Sequence, residues 1–343
     1  MSKVFFERLF DRFRDIRVGV IGDVMLDTYM WGKVERISPE APVPVVALQE
    51  REYRIGGAGN VALNLRSLGA QVSVLSVIGN DNDGKILTRL LEDHLVDTTY
   101  LHTSDARITT NKTRILSRNQ QMMRLDSEIT RDLEMVDQMV LEAAVLKFLD
   151  EVKPQVLIFE DYNKGVLTEG VIHTVIRLCG ERQVITAVDP KRKHFFSYRN
   201  VDIFKPNLKE VREGLNLTDE EISLTFLESI HAQLKAQLQH RISLITLSER
   251  GVFYHDSGKR ELLPSHIRNI SDVSGAGDTV IAVASLVYAA TQDVTLMAAM
   301  ANIAGGLVCE EVGTAAIRRD RLLEECVELL GGVAGDSLGR VSS

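Results

Sequence analysis

The chain has 343 residues, of which 45% are hydrophobic and 26% are charged, and its formal net charge at pH 7 is −8. This composition is typical of a globular protein with a substantial core, and it excludes disordered and fibrous chains. The negative charge argues against a nucleic-acid surface, which needs clustered positive charge, but an anionic substrate can still bind in a local basic pocket.

The three cysteines are widely spaced and form neither a metal-binding motif nor a disulfide framework. We therefore expect reduced thiols and a cytoplasmic location. No apolar stretch is long enough to span a membrane, and residues 4–10 predict an amphipathic helix rather than a signal peptide. Neither nucleic acid nor a membrane is an expected partner.

Short runs rich in Val, Ile and Leu alternate with helical patterns along the chain. This alternation predicts an α/β fold with a doubly wound, mostly parallel sheet, whose ligands bind beyond the carboxyl ends of the strands. The strand-like runs are residues 17–21, 72–78, 156–159, 184–188 and 242–247, and the helical patterns are residues 60–68, 84–94, 133–149 and 168–178.

Two segments, at about residues 27–54 and 108–126, interrupt this alternation. The first contains prolines that exclude a helix, and both alternate apolar and polar residues as antiparallel strands do. We predict that they form a small β-sheet lid on a single domain at residues 1–332, followed by a C-terminal tail at 333–343. Because two such lids can pair across a two-fold axis and hide their sheet edges, we also predict a homodimer.

The most informative motif is Gly275-Ala276-Gly277-Asp278, which precedes a strongly helical pattern at residues 280–290. Glycines at a helix start let backbone N–H groups converge on an anion, and the helix N-terminus adds positive potential. Asp278 can act there as a general base, or it can simply cap the helix.

Two further motifs are suited to binding hydroxyl groups. Gly56 and Gly57 permit a close backbone approach to a ligand, and Asn60 follows them at the start of a helix. Asp27 comes shortly after the first strand, where a carboxylate can accept from a hydroxyl group. Close helix packing for the glycines, and a solvated turn for the aspartate, are the ordinary alternatives.

A fourth motif lies at a predicted junction between a strand and a helix. Asn207 and Glu210 are three residues apart, so both side chains can reach one hydrated Mg²⁺ ion, which prefers oxygen ligands. The same pair can instead form a capping box, in which each side chain bonds the backbone N–H of the other residue. The local sequence does not decide between them.

In this order and at these separations, the four motifs resemble those of the ribokinase-like carbohydrate kinase family. The resemblance runs from about residue 17 to the last predicted helix. One departure is Val273-Ser274, where the family commonly has a pair of threonines. The resemblance implies a ribokinase-like fold, with ATP and Mg²⁺ as cofactors and a role for a monovalent cation left open. It also implies that Asp278 is the catalytic base, beside a transferring phosphoryl group held by the N–H groups of Gly275, Ala276 and Gly277.

Within the family, five strings are similar to heptose 7-phosphate kinases, which implies phosphorylation at O1 of that sugar. They lie at residues 22–27, 36–45, 117–121, 124–126 and 161–165. In some members an adenylyltransferase domain is fused to this kinase, but no HxGH-type nucleotidyl motif occurs here, and we expect the kinase alone. The resemblance places the sugar hydroxyls against Asp27, Gly56, Gly57 and Asn60.

A 7-phosphate group requires cations at the far end of the pocket, and Arg suits bidentate contact with phosphate. Each candidate can equally be a solvated surface charge. The candidates are Lys112, Arg114, Arg118, Arg124 and Lys164. The residues implied to border ATP are Asn207, Leu208, Lys209, Glu210, Thr246, Ser248, Gly251 and Asn302, with Mg²⁺ reached through water by Asn207 and Glu210.

Other functions fit the sequence less well. Residues 79–85 nearly match a P-loop, but Ile86 replaces the hydroxyl that binds Mg²⁺. A dinucleotide-binding oxidoreductase needs GxGxxG after the first strand, which is missing. A kinase for another sugar shares the same catalytic residues, whereas a non-catalytic binding module would lack Asp278.

Overall fold

A nine-stranded sheet forms the centre of the fold in a computed structural model, which describes residues 1–118, 120–218, 221–266, 268–311 and 313–331. The predicted C-terminal tail at residues 333–343 lies outside the described residues. The strands are β1 (Arg17–Gly22), β2 (Val24–Ile37), β3 (Pro44–Gly57), β4 (Gln71–Gly79), β5 (Leu101–Ser104), β6 (Asn111–Ser117), β7 (Gln120–Ser127), β8 (Val156–Glu160), β9 (Ile185–Asp189), β10 (Ile203–Phe204), β11 (Ile242–Thr246), β12 (Val252–His255) and β13 (Arg260–Leu263).

Ten α-helices are found among the described residues, and the first of them confirms the predicted N-terminal helix. They are α1 (Lys3–Arg12), α2 (Ala58–Ser67), α3 (Asn82–Asp93), α4 (Met135–Glu151), α5 (Glu169–Glu181), α6 (Leu208–Leu215), α7 (Leu224–Leu238), α8 (Ala276–Thr291), α9 (Val294–Val308) and α10 (Arg319–Leu330).

The large sheet is mostly parallel, as the sequence predicted. Its strand order is β13-β12-β11-β10-β9-β8-β1-β4-β5, and the antiparallel pairs are β11 with β12 and β12 with β13. Strands β10, β9 and β8 are neighbours in the sheet, and β1 lies next to β8. Their carboxyl ends therefore meet at one edge, where the side chains that follow them are brought together.

Helices cover both faces of this sheet and form two hydrophobic cores. Along β8, Ile158 packs in the core of α1, α2, α8, α9 and α10, while Leu157 and Phe159 pack in the core of α4, α5 and α7. This division follows from the two-residue period of a strand, which points successive side chains to opposite faces. A strand buried on both faces reads as an uninterrupted apolar run, which is why β8 was recognisable in the sequence.

The second sheet is the predicted lid, with four strands in the order β3-β2-β6-β7. β2 pairs with β3 in the antiparallel sense and with β6 in the parallel sense, so that Asp27 faces Arg54 on one side and Lys112 on the other. β7 is an edge strand that is exposed along its whole length. In the part of the chain that the structure describes, no helix has both the length and the apolar content of a membrane span.

Candidate active site

The predicted glycine motif lies at the start of α8, beside the carboxyl ends of β8, β9 and β10. Asp278 is in the first turn of α8 and is only 4% exposed. Its Oδ2 accepts a hydrogen bond from Nδ2 of Asn60 at 2.6 Å, and its Oδ1 accepts one from the hydroxyl of Tyr162 at 2.8 Å. Its carboxylate thus binds other segments, and the helix-capping position belongs to Gly275.

Burial raises the pKa of Asp278, while the hydrogen bonds from Asn60 and Tyr162 oppose that rise. Both donors favour the ionised carboxylate, because a hydrogen bond to the charged form stabilises it. A buried carboxylate with a raised pKa at a helix N-terminus has the properties of a general base. The arrangement therefore suits removal of a proton from a hydroxyl group.

Gly275 cannot be replaced without strain. Its φ of +79° lies in the left-handed region, and a Cβ at this position would lie 2.8 Å from Nδ2 of Asn60. The N–H of Gly277 belongs to the first turn of α8, where backbone donors have no intrahelical acceptor. The N–H of Ala276 instead donates to the carbonyl of Val273 at 3.3 Å, so it is engaged within the turn.

The residues predicted to hold a sugar also lie near this helix start. Asn60 is in the first turn of α2 and bonds Asp278 directly. Gly56 and Gly57 end β3, and a Cβ on Gly56 would lie 2.5 Å from Oδ2 of Asp27. The glycine therefore permits the close approach of the two strands beside the Asp27 carboxylate.

The five predicted phosphate-binding cations are not equivalent. Arg114 pairs with Asp27 at 2.6 Å, Arg124 pairs with Asp126 at 2.8 Å, and Lys164 pairs with Glu128 at 2.8 Å. Arg118 is exposed at the turn between β6 and β7, about 20 Å along the strand from Lys112 at an extended rise of ~3.3 Å per residue. Within one chain, Arg118 is therefore separated from the others.

Lys112 is the most suitable of these cations. Its ammonium group lies 5.5 Å from the centre of the Tyr162 ring, and it forms no ion pair with any residue that the structure describes. Burial lowers its pKa, although the charge of Asp27 opposes this effect. A half-buried ammonium group beside the Asp278 partner Tyr162 is available to an anionic group of a ligand.

A cluster of charged residues surrounds the strand ends next to Asp278. Lys205, only 2% exposed, binds Asp189 at 2.8 Å, and Lys191 lies 3.5 Å from Asp189 and 2.5 Å from Glu210. Burial opposes ionisation of Asp189, but the charges of Lys191 and Lys205 outweigh it and lower the pKa of that carboxyl. Two ammonium groups, both paired with carboxylates, thus lie close to the start of α8.

The capping box weighed for Asn207 and Glu210 is present. Oδ1 of Asn207 accepts from the N–H of Glu210 at 2.8 Å, and Oε2 of Glu210 accepts from the N–H of Asn207 at 2.8 Å. A carboxylate has about four acceptor sites, so Glu210 can still bind the water of a hydrated cation. The residues therefore fit Mg²⁺ contact through water.

The residues that the sequence predicts to border ATP lie on segments next to this capping box. Asn207 pairs with Thr246 in a short parallel bridge. Gly251, with a φ of +94°, lies against Leu263, and Nδ2 of Asn302 donates to the neighbouring carbonyl of Pro264 at 2.8 Å. Leu208 and Lys209 begin α6 beside the bridge, and Ser248 precedes Gly251 in a turn of 3₁₀ helix.

Sequence reasoning missed Tyr162, Glu160, Asp189 and Lys205 as parts of the site. Glu160 and Asp189 are the last residues of β8 and β9, and Lys205 directly follows β10. The positions of Glu160 and Asp189 after predicted parallel strands were the available signal, because such ends meet at the ligand-binding edge. The order of the strands, which decides which ends are neighbours, was not available from the sequence.

Comparison with known proteins identifies the family of the chain. The family model described as pfkB family carbohydrate kinase matches residues 15–321. The bifunctional protein HldE of Syntrophotalea carbinolica is 39% identical over 327 residues, which cover 94% of this chain and 66% of that protein. HldE of Helicobacter hepaticus is 38% identical and covers 90% of this chain and 63% of that protein. The chain spans about two thirds of the length of these curated relatives.

Solved structures support the same fold at low sequence identity. Phosphofructokinase-2 from Escherichia coli, in complex with potassium, has a TM-score of 0.75 and 17% identity over 92% of this chain and 99% of that chain. Ribokinase from Arabidopsis thaliana, complexed with ribose and ATP, has a TM-score of 0.68 and 16% identity over 90% of this chain and 99% of that chain. The fold is therefore ribokinase-like, and the chain belongs to the pfkB family of carbohydrate kinases.

Proposed function

We propose that this kinase transfers the terminal phosphoryl group of ATP to O1 of D-glycero-β-D-manno-heptose 7-phosphate and forms the 1,7-bisphosphate. The observation that carries the proposal is the buried Asp278 carboxylate at the start of α8, held by Asn60 and Tyr162. The sequence strings similar to heptose 7-phosphate kinases support the choice of sugar. The product would serve ADP-heptose and lipopolysaccharide core synthesis.

In the proposed reaction, Asp278 accepts the proton of the O1 hydroxyl as that oxygen forms a bond to the γ-phosphorus atom. The bond from this phosphorus atom to the bridging oxygen of ADP breaks, and ADP leaves with the electron pair. The N–H of Gly277 and the N-terminus of α8 stabilise the negative charge on the transferring phosphoryl group. Lys205 and Lys191 add positive charge nearby.

The cofactors are part of the proposal. Thr246, Ser248, Gly251 and Asn302 border ATP, together with the first turn of α6. When bound, Mg²⁺ neutralises charge on the ATP phosphates, and Asn207 and Glu210 would reach it through water. A cytoplasmic location and the use of a monovalent cation stay predictions.

The choice of a phosphorylated sugar rests on the basic groups near the lid. Lys112 lies beside Tyr162, whose hydroxyl bonds the proposed base. In the proposed complex, the ligand anion lies at Lys112 and the reacting hydroxyl lies at Asp278. Arg114 lies beside Asp27, where the charges are already paired. Lys112 is therefore the proposed main contact of the 7-phosphate.

A panel of sugars tests this choice. We expect ADP release with heptose 7-phosphate to exceed that with unphosphorylated heptose, fructose 6-phosphate or ribose, and ³¹P NMR to show a new phosphate on O1. Lys112→Met should raise KM for heptose 7-phosphate by roughly 10- to 100-fold, the loss of one charge-assisted contact. Lys33→Met, at an exposed lid lysine, is the matched control. A preference for fructose 6-phosphate or ribose would refute the heptose assignment while leaving the kinase assignment in place.

Replacing the base should separate binding from chemistry. We expect Asp278→Asn to leave ATP binding largely intact and to lower kcat by roughly 1,000-fold, a typical contribution of a general base. Asp137→Asn, which neutralises a buried aspartate bonded to Ser104, controls for the general effect of such a change. Near-normal turnover in Asp278→Asn, measured by coupled ADP release, would remove the base assignment.

Tyr162→Phe tests the hydrogen bond to the base. The bond favours the ionised carboxylate, so its loss should raise the pKa of Asp278 and move the acid limb of the kcat/KM profile to higher pH. Tyr198→Phe removes a comparable buried hydroxyl, which donates to Asp161 at 2.8 Å, and should leave that limb in place. An unchanged profile in Tyr162→Phe would show that this hydroxyl does not act on the base.

A homodimer through the lids is also part of the proposal. β7 is an exposed edge strand that carries Met123 and Leu125, which are both about half exposed, and such edges are usually covered. We expect a dimer by sedimentation at micromolar concentration, and dissociation in Met123→Glu. Met139→Glu, at an exposed methionine of α4, should stay dimeric. A wild-type monomer would refute the prediction.

A further inference from the structure

Two buried polar side chains join α2 to α8 beside the proposed base. Oδ1 of Asn64 accepts a hydrogen bond from the hydroxyl of Thr279 at 3.0 Å, and both side chains are fully buried. Asn64 comes four residues after Asn60, so the two asparagines lie on the same face of α2. Thr279 directly follows Asp278 in α8. The contact is therefore a second bond between the two helix starts that the Asn60–Asp278 bond already joins.

The amide of Asn64 has one orientation, which its neighbours fix. Within α2, its Nδ2 donates to the carbonyl of Asn60 at 2.8 Å, and its Oδ1 accepts a further bond from the N–H of Ile317 at 2.9 Å. Exchanging the two amide atoms would place an NH₂ group against that N–H donor. The Thr279 hydroxyl also lies 3.1 Å from the carbonyl of Gly275, so it shares its single proton between two acceptors.

Packing alone does not require an amide at this position. The neighbouring residues of α2, which are Val61, Ala62 and Leu65, are fully buried and apolar. An aliphatic side chain at Asn64 would fill the same place without the cost of burying a polar group, and it would form a helix more readily. A buried polar network whose members are all paired instead favours one arrangement of the elements that it joins. The amide is therefore suited to fix how α2 lies on α8.

This contact affects the base through Asn60. Nδ2 of Asn60 lies 2.6 Å from Oδ2 of Asp278, so a shift of α2 along α8 by about 1 Å would break that hydrogen bond. We propose that Asn64 is a positioning residue, which holds α2 against α8 so that Asn60 stays on the carboxylate of Asp278. The inference rests on the proposed role of Asp278 as the base, and it does not depend on which sugar is phosphorylated.

Thr279→Val, which removes the hydroxyl and keeps the shape of the side chain, tests this role. We expect kcat to fall by roughly 10-fold, about the contribution of one hydrogen bond, with KM for ATP unchanged. Burial raises the pKa of Asp278 and the bond from Asn60 opposes that rise, so a weaker bond should move the acid limb of the kcat/KM profile to higher pH. Thr279→Ser, which keeps the hydroxyl, should restore both properties.

The other titratable groups around the base stay in place in these variants, so a shift of the acid limb reports on the Asn60 bond. The groups that face Asp278 are Tyr162, Glu160, Asp189 and Lys205.

Asn64→Ala removes the other partner of the bond. It should lower kcat and move the acid limb in the same direction, and adding Thr279→Val to it should cause little further loss, because the two groups form one contact. Ser67→Ala is the matched control. The Ser67 hydroxyl lies 2.7 Å from the carbonyls of Asn64 and Ile317, so its loss affects the same helix and segment but leaves the bond to Thr279. It should leave kcat and the pH profile in place, even where it lowers the unfolding temperature.

Unchanged kcat and an unchanged acid limb in Thr279→Val would overturn the inference, and this variant is decisive if Asn64→Ala does not fold. An equal effect in Ser67→Ala, or no restoration in Thr279→Ser, would also overturn it, because the effect would then come from general loss of stability. A wild-type protein that releases no ADP with any sugar of the panel would refute the proposed function itself, and this inference with it.

Discussion

A buried carboxylate held by two hydrogen bonds is the interaction on which this site depends. Asp278 lies at the start of α8, Asn60 lies at the start of α2, and Tyr162 follows β8. The three groups come from separate segments, so the carboxylate joins two helix starts to one strand end. Leaving a buried carboxylate unpaired is strongly unfavourable. The hydrogen bonds therefore favour a single arrangement of the segments around the reacting position.

A second buried carboxylate fixes the position of Tyr162. Asp23 follows β1, and its oxygens accept backbone N–H bonds from Tyr162, Lys164 and Val166. Burial raises the pKa of Asp23, and these backbone bonds oppose the rise. The loop after β8 is thus held by the end of the neighbouring strand, and its tyrosine is directed to Asp278. The role of Asp23 is therefore to position the loop after β8.

Local chemistry explains which parts of the site could be predicted. Gly275 and Asp278 lie within four residues of one another, so their spacing alone indicated an anion site and a candidate base. Glu160, Asp189 and Lys205 are far apart in sequence and meet only because β8, β9 and β10 are neighbours in the sheet. Similarly, the long apolar strands of the core were predicted, whereas β10 has two residues and gives no periodicity. Each motif alone allowed a structural alternative. The resemblance to a kinase family rests on the order and separation of all four motifs, and it connected them to one active site.

The alternatives weighed for Asn207 and Glu210 turn out to be compatible. The capping box uses one oxygen of Glu210 for the N–H of Asn207, and Lys191 binds the other oxygen. Both contacts fix the carboxylate at the helix start, and acceptor sites remain for water. A residue that caps a helix is already oriented and partly desolvated, so little further ordering is needed when a hydrated cation arrives. A structural role and a binding role for one side chain therefore need not compete, and identifying the cap does not by itself argue against the site.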